Sequence, residues 1–399
     1  MGAAVEVTGR LVDTGENARV RVEDGVIADV AADSSDAARD LWLAPGLVDL
    51  QVNGYAGHDV NADDVDAATV RRLVEAEWRQ GVTAFCPTVV SGPEERIVRA
   101  LRAVAEARRA DPLVAHAIPC VHVEGPHIAS EDGPRGAHDL AHVRPPDVAE
   151  YERWQRESGG LVGIVTLAPE LPGAVDYVAR LARDGVVAAI GHTAAEPGDI
   201  DAAARAGARL STHLGNGAHA RIRRHPNYIW SQLADDRLTA GFIADGHHLP
   251  AEVLTVMLRA KGVERSVLIS DSVELAGMPP GRYPTPVGGA VELSADGRLA
   301  LAGTPLLAGA ARSLPECVGW AVRHTELSLA DALRMASANP LRLLGLRDPA
   351  RRGELCAGGS GDLTLLRVDP ATGRCEAVAT IVRGVVVHRR DDAPVVAGR

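Results

Sequence analysis

Ionisable side chains close several apolar segments of the chain. Glu124 ends "VHVE", His192 follows "VVAAIG", His213 ends "ARLSTH" and Asp271 follows "SVLIS". Such segments are typical of buried strands, where a carboxylate is costly unless it is paired, hydrogen-bonded or bound to a metal. Two imidazoles and one carboxylate form a ligand set that holds a catalytic zinc and leaves its fourth position open to water. The sequence therefore predicts a hydrolytic metal site formed by Glu124, His192 and His213.

Asp271 is interpreted differently, because a fourth protein ligand would fill the position that a catalytic metal keeps open. We interpret it as a general base that takes a proton from water and returns it to the leaving group. Asp245, in "IADGHH", is expected to orient its own loop. The alternative is that each residue only caps its strand through local hydrogen bonds, which fits one such residue better than four at equivalent positions.

The segment "DLQVNG" follows the first apolar strand of the central region. Two-metal barrel hydrolases usually carry His-x-His here, and often a carboxylated lysine on a middle strand. Gln51 and Asn53 stand at the two histidine positions, and amides are poor zinc ligands. The single lysine, Lys261, ends a helical stretch and lies far from any middle strand. One divalent metal is predicted; zinc is favoured, although iron, cobalt and manganese accept the same ligands.

Apolar segments alternate with helical stretches rich in alanine and arginine through the middle of the chain. This alternation favours a (β/α)8 TIM barrel over an open doubly wound sheet, which would carry a glycine-rich GxGxxG fingerprint that the sequence lacks. The carboxyl ends of barrel strands converge on the face that holds the active site. The eight predicted strands are 47–52, 82–86, 117–125, 161–169, 186–193, 208–214, 239–246 and 266–272.

Both ends of the chain are rich in short β segments. Residues 4 to about 43 alternate polar and apolar side chains, and "DLTLLRVD", "EAVATIV" and "GVVVHRR" do the same near the C-terminus. The pattern predicts an α/β protein with a small β-sandwich built from both termini, residues 1–46 plus 350–399, around a barrel of residues 47–349. A separate C-terminal β domain is the alternative.

Composition excludes several classes of function. A net charge of -11 without a long block of one sign argues against nucleic-acid binding. No apolar run approaches the length of a membrane span, and the N-terminus lacks the basic start and apolar core of a signal peptide, so a cytoplasmic location is expected. Five cysteines without CxxC spacing indicate neither a disulfide framework nor a thiolate zinc site.

A series of motifs resembles a known family. "APGLVDLQVNGYAGHD", "HVEGPHI", "GHT", "THLGN", "ADGHH" and "ISDS", in this order, resemble the N-acetylglucosamine-6-phosphate deacetylases of the amidohydrolase superfamily over nearly the whole chain. The resemblance implies a TIM barrel with a small β-sandwich, usually a homodimer. It also implies hydrolysis of the N-acetyl group of an amino-sugar phosphate to acetate and a free amine. The Gln-x-Asn form of the first motif resembles the single-metal branch of the family.

The resemblance also implies roles for individual residues. Glu124, His192 and His213 match the family's metal ligands, and Asp271 matches its catalytic acid/base. His138, in "PRGAHD", matches a histidine that helps polarise the substrate carbonyl.

Substrate contacts are implied as well. His248, in "ADGHH", matches a substrate-contacting histidine, and Asn216 and Gly217 match a turn whose backbone amides meet the sugar phosphate. The family often reads N-A-M at this turn, where the chain has Asn216-Gly217-Ala218. Arg224 stands at the offset of an arginine that reaches the phosphate of the neighbouring subunit, and the planar guanidinium suits phosphate. A solvated basic loop is the alternative.

The leading hypothesis is a metal-dependent deacetylase that acts on N-acetylglucosamine 6-phosphate. The altered turn after His213 motivates an alternative, the same mechanism on an unphosphorylated or galacto-configured N-acetyl sugar or on another acylated metabolite. A barrel scaffold without catalysis is a further alternative. It predicts the loss of a metal ligand or of the acid/base residue, and all four are present.

Overall fold

The computed structural model describes residues 4–34, 40–285, 289–304, 306–346 and 351–397. The N-terminal segment forms a sheet in which strand residues alternate between buried and partly exposed positions, as the period of two in the sequence predicts. Its strands are β1 (Val5–Leu11), β2 (Asn17–Glu23), β3 (Val26–Ala32) and β4 (Leu41–Pro45).

Eight parallel strands form a second sheet in the middle of the chain, and each pairs with the next along the sequence. All eight predicted strands are present, although several are shorter than predicted. They are β5 (Leu47–Val52), which is followed by a small hairpin of β6 (Gly54–Tyr55) and β7 (His58–Asp59), then β8 (Val82–Val90), β9 (Val121–Glu124), β10 (Val162–Leu167), β11 (Val187–Ile190), β12 (Leu210–Ser211), β13 (Thr239–Ile243) and β14 (Ser266–Ile269).

Helices connect these strands and cover the sheet. Each of the longer helices buries one apolar stripe, as in α5, where Tyr177, Val178 and Leu181 are buried. No helix within the described ranges combines the length and apolarity that crossing a bilayer requires. The helices are α1 (Ala67–Arg79), α2 (Glu94–Ala110), α3 (Pro112–Ala117), α4 (Val148–Ser158), α5 (Ala174–Arg183), α6 (Pro197–Ala206), α7 (Tyr228–Ala234), α8 (Ala251–Lys261), α9 (Leu314–His324), α10 (Leu329–Met335) and α11 (Ala338–Leu343).

The first and last strands of the parallel sheet meet at a seam. Val52 pairs with Ser272 in a parallel bridge, and the backbone N–H of Asp271 donates to the carbonyl of Gln51 over 3.0 Å. Lower in the seam the carboxylate of Asp49 accepts from the N–H of Ser270 over 3.1 Å, so a side chain takes the place of a ladder carbonyl. These contacts bring the eight strands into a (β/α)8 barrel, and the prediction of a barrel rather than an open sheet is confirmed.

A three-stranded antiparallel sheet lies between β14 and α9. The sequence pattern did not predict this sheet, because its glycines and prolines weaken the strand pattern. Its strands are β15 (Gly281–Thr285), β16 (Gly289–Leu293) and β17 (Leu299–Leu301).

The C-terminal strands complete the first sheet. Their pairing with β4 and β1 confirms that both ends of the chain build one β unit, with the order β20-β19-β18-β4-β1-β2-β3 and β21 beside β1. The boundaries at residues 46 and 350 stay predictions. The strands are β18 (Leu363–Asp369), β19 (Arg374–Val382), β20 (Val385–Arg389) and β21 (Val395–Ala397).

Two buried features support the barrel away from its mouth. An apolar cluster that includes Leu50, Ile164 and Val267 fills the interior. Lys261, the single lysine, ends α8 and is fully buried, and its Nζ donates to the carbonyls of Gln232 over 2.8 Å and Asp235 over 2.6 Å. Because these carbonyls belong to the C-terminal end of α7, Lys261 joins two helices and lies outside the site, as predicted.

Candidate active site at the barrel mouth

Four predicted site residues lie at the carboxyl ends of barrel strands. Glu124 is the last residue of β9, whereas His192, His213 and Asp271 each lie two residues past the ends of β11, β12 and β14. Parallel strands in a barrel all end on one face, so short extensions bring these side chains together. Glu124, His192 and His213 are buried, and Asp271 is partly exposed.

Glu124, His192 and His213 bring their potential ligand atoms together. Nε2 of His192 lies 3.1 Å from Nε2 of His213. These two nitrogens lie 3.2 Å and 2.9 Å from Oε1 of Glu124. One ligand atom from each residue falls within a group whose members are all within 4.8 Å of one another, which suits a single ion.

The hydrogen bond on the far side of His192 tests whether this group fits a cation. Nδ1 of His192 donates to the carbonyl of Pro134 over 2.8 Å, so a neutral ring presents its lone pair at Nε2. That lone pair would face a carboxylate oxygen and a second imidazole nitrogen at close range. A cation between the three residues would be bound by these atoms, and the nitrogen and oxygen donors suit zinc or a related divalent metal.

Gln51 supports Glu124 without adding a further charge. Its Nε2 donates to Oε1 of Glu124 over 2.9 Å, and the contact spans the barrel interior from β5 to β9. Burial by itself would raise the pKa of Glu124, but its close contacts with the imidazoles of His192 and His213 outweigh that effect and hold the pKa well below its usual value. Glu124 is therefore a carboxylate, which is the form that binds a metal.

Asn53 supports Asp271 in the same way, through a hydrogen bond from its side-chain amide. Its Nδ2 donates to Oδ1 of Asp271 over 2.9 Å. Desolvation of its carboxyl group inside the mouth, followed by the negative charge of Glu124, raises the pKa of Asp271 to about 8. A cation beside Glu124 would act in the opposite direction, because opposite charge favours the ionised form. The two amides of the first motif thus bind the two carboxylates of the site, a pairing that the sequence pattern did not predict.

The backbone at the site is strained. His192, His213 and Asp271 adopt φ values of 51°, 26° and 50°, in the left-handed region that favours glycine. Non-glycine residues in this region cost about 1–3 kcal/mol each and occur where the surrounding structure determines them. The sharp turns that they make redirect the chain immediately after each strand and aim the side chains into the mouth.

A row of polar side chains lies beneath the site. His122 donates or accepts at both ring nitrogens, with Nδ1 3.1 Å from the carbonyl of Leu50 and Nε2 2.7 Å from Oγ1 of Thr166. Oγ1 of Thr166 lies 2.7 Å from Oγ1 of Thr212, so a further hydrogen bond extends the row. Burial lowers the pKa of His122 to about 4, so the ring is neutral. Because His122 shares β9 with Glu124, the row fixes the strand that carries the carboxylate, and sequence reasoning missed it.

His138 lies beside the metal-ligand group. Its ring centroid is 4.4 Å from that of His192, and its Nδ1 is 2.8 Å from Oγ of Ser91. Burial lowers the pKa of His138 to about 3, so the ring is neutral at ordinary pH. If Ser91 donates to Nδ1, Nε2 carries the proton and can donate to an oxygen of a bound molecule.

The turn at Asn216 and Gly217 lies against the same histidines. Asn216 Nδ2 donates to the carbonyl of His213 over 3.3 Å. A Cβ atom at Gly217, which has a φ of 56°, would come within 2.8 Å of Nδ1 of His192, so only glycine lets the backbone pass this closely. The turn is therefore part of the wall of the site.

His248 is held by Asp245. The Asp245 carboxylate accepts from Nδ1 of His248 over 2.7 Å and from the backbone N–H groups of His247 and His248 over 2.8 Å each. The prediction that Asp245 orients its own loop is confirmed. With Nδ1 occupied, Nε2 of His248 is the ring nitrogen left for other contacts.

Arg224 is separate from the buried residues. It lies on an exposed loop with Arg221 and Arg223, and its backbone carbonyl accepts from Nδ2 of Asn227, the residue that caps α7. The structure therefore presents Arg224 at the surface and does not bring it into the group formed by Glu124, His192 and His213.

Comparison with known proteins gives consistent results over most of the chain. Residues 42–389 match the model of the Amidohydrolase family. An N-acetylglucosamine-6-phosphate deacetylase of Bacillus subtilis (strain 168) is 30% identical over 95% of this chain and 94% of its own length. An N-acetylgalactosamine-6-phosphate deacetylase of Escherichia coli O157:H7 is 33% identical over 86% of this chain and 91% of its own length.

Solved structures agree with these sequence matches. An N-acetyl-D-glucosamine-6-phosphate deacetylase mutant of Mycobacterium smegmatis, in complex with N-acetyl-D-glucosamine-6-phosphate, aligns with a TM-score of 0.83 at 29% identity. The alignment covers 97% of this chain and all of that chain. An N-acetylglucosamine-6-phosphate deacetylase of Thermotoga maritima gives the same TM-score at 28% identity, with the same coverage.

Proposed function

The chain belongs to the N-acetylglucosamine-6-phosphate deacetylases of the Amidohydrolase family, and from this premise we propose that it removes the acetyl group of N-acetylglucosamine 6-phosphate. The observation that carries the proposal is the convergence of Glu124, His192 and His213 at the barrel mouth, with their ligand atoms within 4.8 Å. The reaction is a hydrolysis that yields glucosamine 6-phosphate and acetate.

Each residue of the site has a separate role in the proposed hydrolysis. Glu124, His192 and His213 would hold a divalent metal, which would supply polarisation of the acetyl carbonyl and a more acidic water. His138 donates a hydrogen bond to the carbonyl oxygen and stabilises the negative charge that develops there. Asp271 accepts a proton from the attacking water and delivers it to the departing nitrogen as the C–N bond breaks.

The finer parts of the proposal concern the metal, the substrate and the assembly. We propose zinc as the metal, since a set of two histidines and one glutamate is common for catalytic zinc. Asn216, Gly217 and His248 are proposed to contact the sugar phosphate, with Arg224 reaching the phosphate across a homodimer. A cytoplasmic location is part of the same proposal.

A deacetylation assay on a small panel of N-acetyl sugars tests the proposal. N-acetylglucosamine and N-acetylgalactosamine are compared, each with and without the 6-phosphate, and released acetate is measured. The proposal expects the gluco 6-phosphate to have the highest kcat/KM. Faster hydrolysis of the unphosphorylated sugars would contradict the proposed substrate while leaving the deacetylase reaction intact.

The galacto configuration is the second candidate, because one relative that is 33% identical acts, by its name, on N-acetylgalactosamine 6-phosphate. The same panel separates the two sugars. Arg224→Ala tests the phosphate contact, and it is expected to reduce the preference for phosphorylated over free sugar by about tenfold. An unchanged preference would remove Arg224 from the phosphate site.

A further inference from the structure

The side-chain amide of Asn53 has one end occupied and one end free. Its Nδ2 donates to Oδ1 of Asp271 over 2.9 Å. Its Oδ1 is buried and has no hydrogen-bond partner among the residues that the structure describes, and the residue is only 8% exposed. A buried amide oxygen without a donor is unfavourable, and such groups in native proteins call for an explanation. The other end of the same amide contacts Asp271, so a molecule bound beside Asp271 is the natural source of the donor.

The backbone fixes this amide beside Asp271. The N–H of Asn53 donates to the carbonyl of Ser272 over 2.8 Å, and the N–H of Asp271 donates to the carbonyl of Gln51 over 3.0 Å. The two residues are thus tied together at the seam between β5 and β14. If Oδ1 and Nδ2 of Asn53 exchanged places, the oxygen would face the Asp271 carboxylate, and two acceptors would repel each other. The orientation with Oδ1 free is therefore the one that suits an ionised Asp271.

We propose that Oδ1 of Asn53 accepts the N–H of the scissile amide and holds the substrate nitrogen beside Asp271. This inference rests on the proposed deacetylase function. A secondary amide has one N–H, and Asp271 must reach the same nitrogen to protonate it. A single planar side chain that binds Asp271 at one end and the N–H at the other sets the spacing between acid and leaving group.

Asn53 neither gives nor takes a proton in the proposed reaction. Asp271 takes one proton from the water that adds to the carbonyl carbon, and it gives that proton to the nitrogen as the C–N bond breaks. The nitrogen leaves as an amine that keeps its original N–H. Asn53 exchanges no atom in either step, and it acts as a positioning residue that keeps a hydrogen bond to the nitrogen from the substrate through to the product.

Binding of two unreactive sugar phosphates tests the proposal with the metal-loaded protein. Glucosamine 6-phosphate carries N–H donors at carbon 2, and 2-deoxyglucose 6-phosphate carries none. Asn53→Leu removes both ends of the amide at similar volume. It is expected to raise the inhibition constant of glucosamine 6-phosphate by about tenfold and to change that of 2-deoxyglucose 6-phosphate by less than about twofold. We expect kcat for deacetylation to fall by about 100-fold with metal content unchanged.

Two further variants serve as controls. Asn61→Leu alters an asparagine whose amide is bonded at both ends to backbone groups, with Nδ2 3.0 Å from the carbonyl of Thr88 and Oδ1 2.9 Å from the N–H of Val90. It is expected to lower the melting temperature without selective loss of the amine ligand. Asn53→Asp keeps an acceptor but loses the donor to Asp271, and it is expected to bind glucosamine 6-phosphate within threefold of the wild type while kcat falls.

The outcomes separate this inference from the proposed function. An Asn53→Leu variant that weakens both ligands equally, or that keeps kcat within fivefold of an active wild type, would overturn the role of Asn53 alone. A wild-type protein that releases no acetate from any sugar of the panel would overturn the proposed function and this inference with it.

Discussion

Two buried carboxylates, Glu124 at the barrel mouth and Asp362 where the terminal sheet meets the barrel, are satisfied in different ways. Asp362 lies 2.9 Å from Nε2 of His116 and 3.2 Å from Nε of Arg352, and it accepts from the N–H of Arg383 over 3.0 Å. Arg352 is always positively charged, so this carboxylate has a permanent counter-charge from the protein.

Glu124 has no such partner among its contacts. Its polar contacts are a hydrogen bond from the neutral amide of Gln51 and close approaches to two imidazoles whose nitrogens lie 3.1 Å apart. The protein surrounds this charge with groups that bind a metal, whereas it surrounds Asp362 with groups that replace one. Burial of an acid therefore does not by itself identify a functional site, and the nature of its partners is what distinguishes Glu124 from Asp362.

The largest effect is expected from removing a metal ligand. His213→Ala should lose stoichiometric metal and reduce kcat/KM by at least about 1000-fold, because the remaining two ligands hold the ion weakly and the carbonyl is no longer polarised. Metal content by mass spectrometry of protein prepared without chelators, together with the acetate assay, measures both. Asp362→Asn is the matched control and should keep its metal; metal loss in that variant would break the distinction between the two carboxylates.

Asp271→Asn should give the next largest effect. The amide cannot accept the water proton, so kcat is expected to fall by about 100- to 10,000-fold while KM and metal content stay close to those of the wild type. Steady-state kinetics with metal analysis tests this. Activity within a few-fold of the wild type would remove the acid/base assignment and leave the metal site as the whole of the catalytic machinery.

Asp362→Asn should act on stability and not on turnover. The change leaves Arg352, which is 8% exposed, buried without its counter-charge, and we expect the free energy of unfolding to fall by about 3 kcal/mol. Chemical denaturation gives this value, and kcat should change by less than about twofold. A large loss of kcat with intact stability would show that the two regions are coupled.

Low pH should weaken the contact of the Asp362 carboxylate with Arg352 and His116. Burial by itself would raise the pKa of Asp362, but the hydrogen bond and charge of His116 and the charge of Arg352 outweigh it and bring the pKa to about 2, below the 3.8 of a free aspartate. A depressed folded-state pKa contributes stability above about pH 4 that is lost as the pH falls toward 2, here about 2 kcal/mol. The stability gap between wild type and Asp362→Asn should narrow over this range. If this difference in unfolding free energy stayed constant down to pH 2, the low pKa assigned to Asp362 would be wrong.

Much of the architecture could be predicted from the sequence, because barrel strands leave a repeated pattern. Each of the eight apolar segments forms a strand, and the residues that close them meet at the mouth. The lengths were less predictable. The segment 117–125 forms a strand only from Val121, since the residues before it include the end of α3, and β12 keeps two residues before the chain turns toward His213.

The contacts between side chains of the site could not be predicted in the same way. Gln51 reaches Glu124 across 73 positions of the sequence, and Asn53 reaches Asp271 across 218. No local pattern encodes such pairs, which exist only once the first strand closes against the last. The identity of Gln51 and Asn53 as amides did indicate one metal instead of two, but not that they would bind the two acids.

The left-handed residues at the mouth have a consequence for how the protein would evolve without its substrate. Glycine adopts the backbone of positions 192, 213 and 271 at little cost, whereas the histidines and the aspartate adopt it at about 1–3 kcal/mol each. Under selection for heat resistance alone, these three codons are therefore among those at which we expect glycine to accumulate. A lineage that kept histidine, histidine and aspartate there would be one selected for turnover against the thermal preference of the backbone.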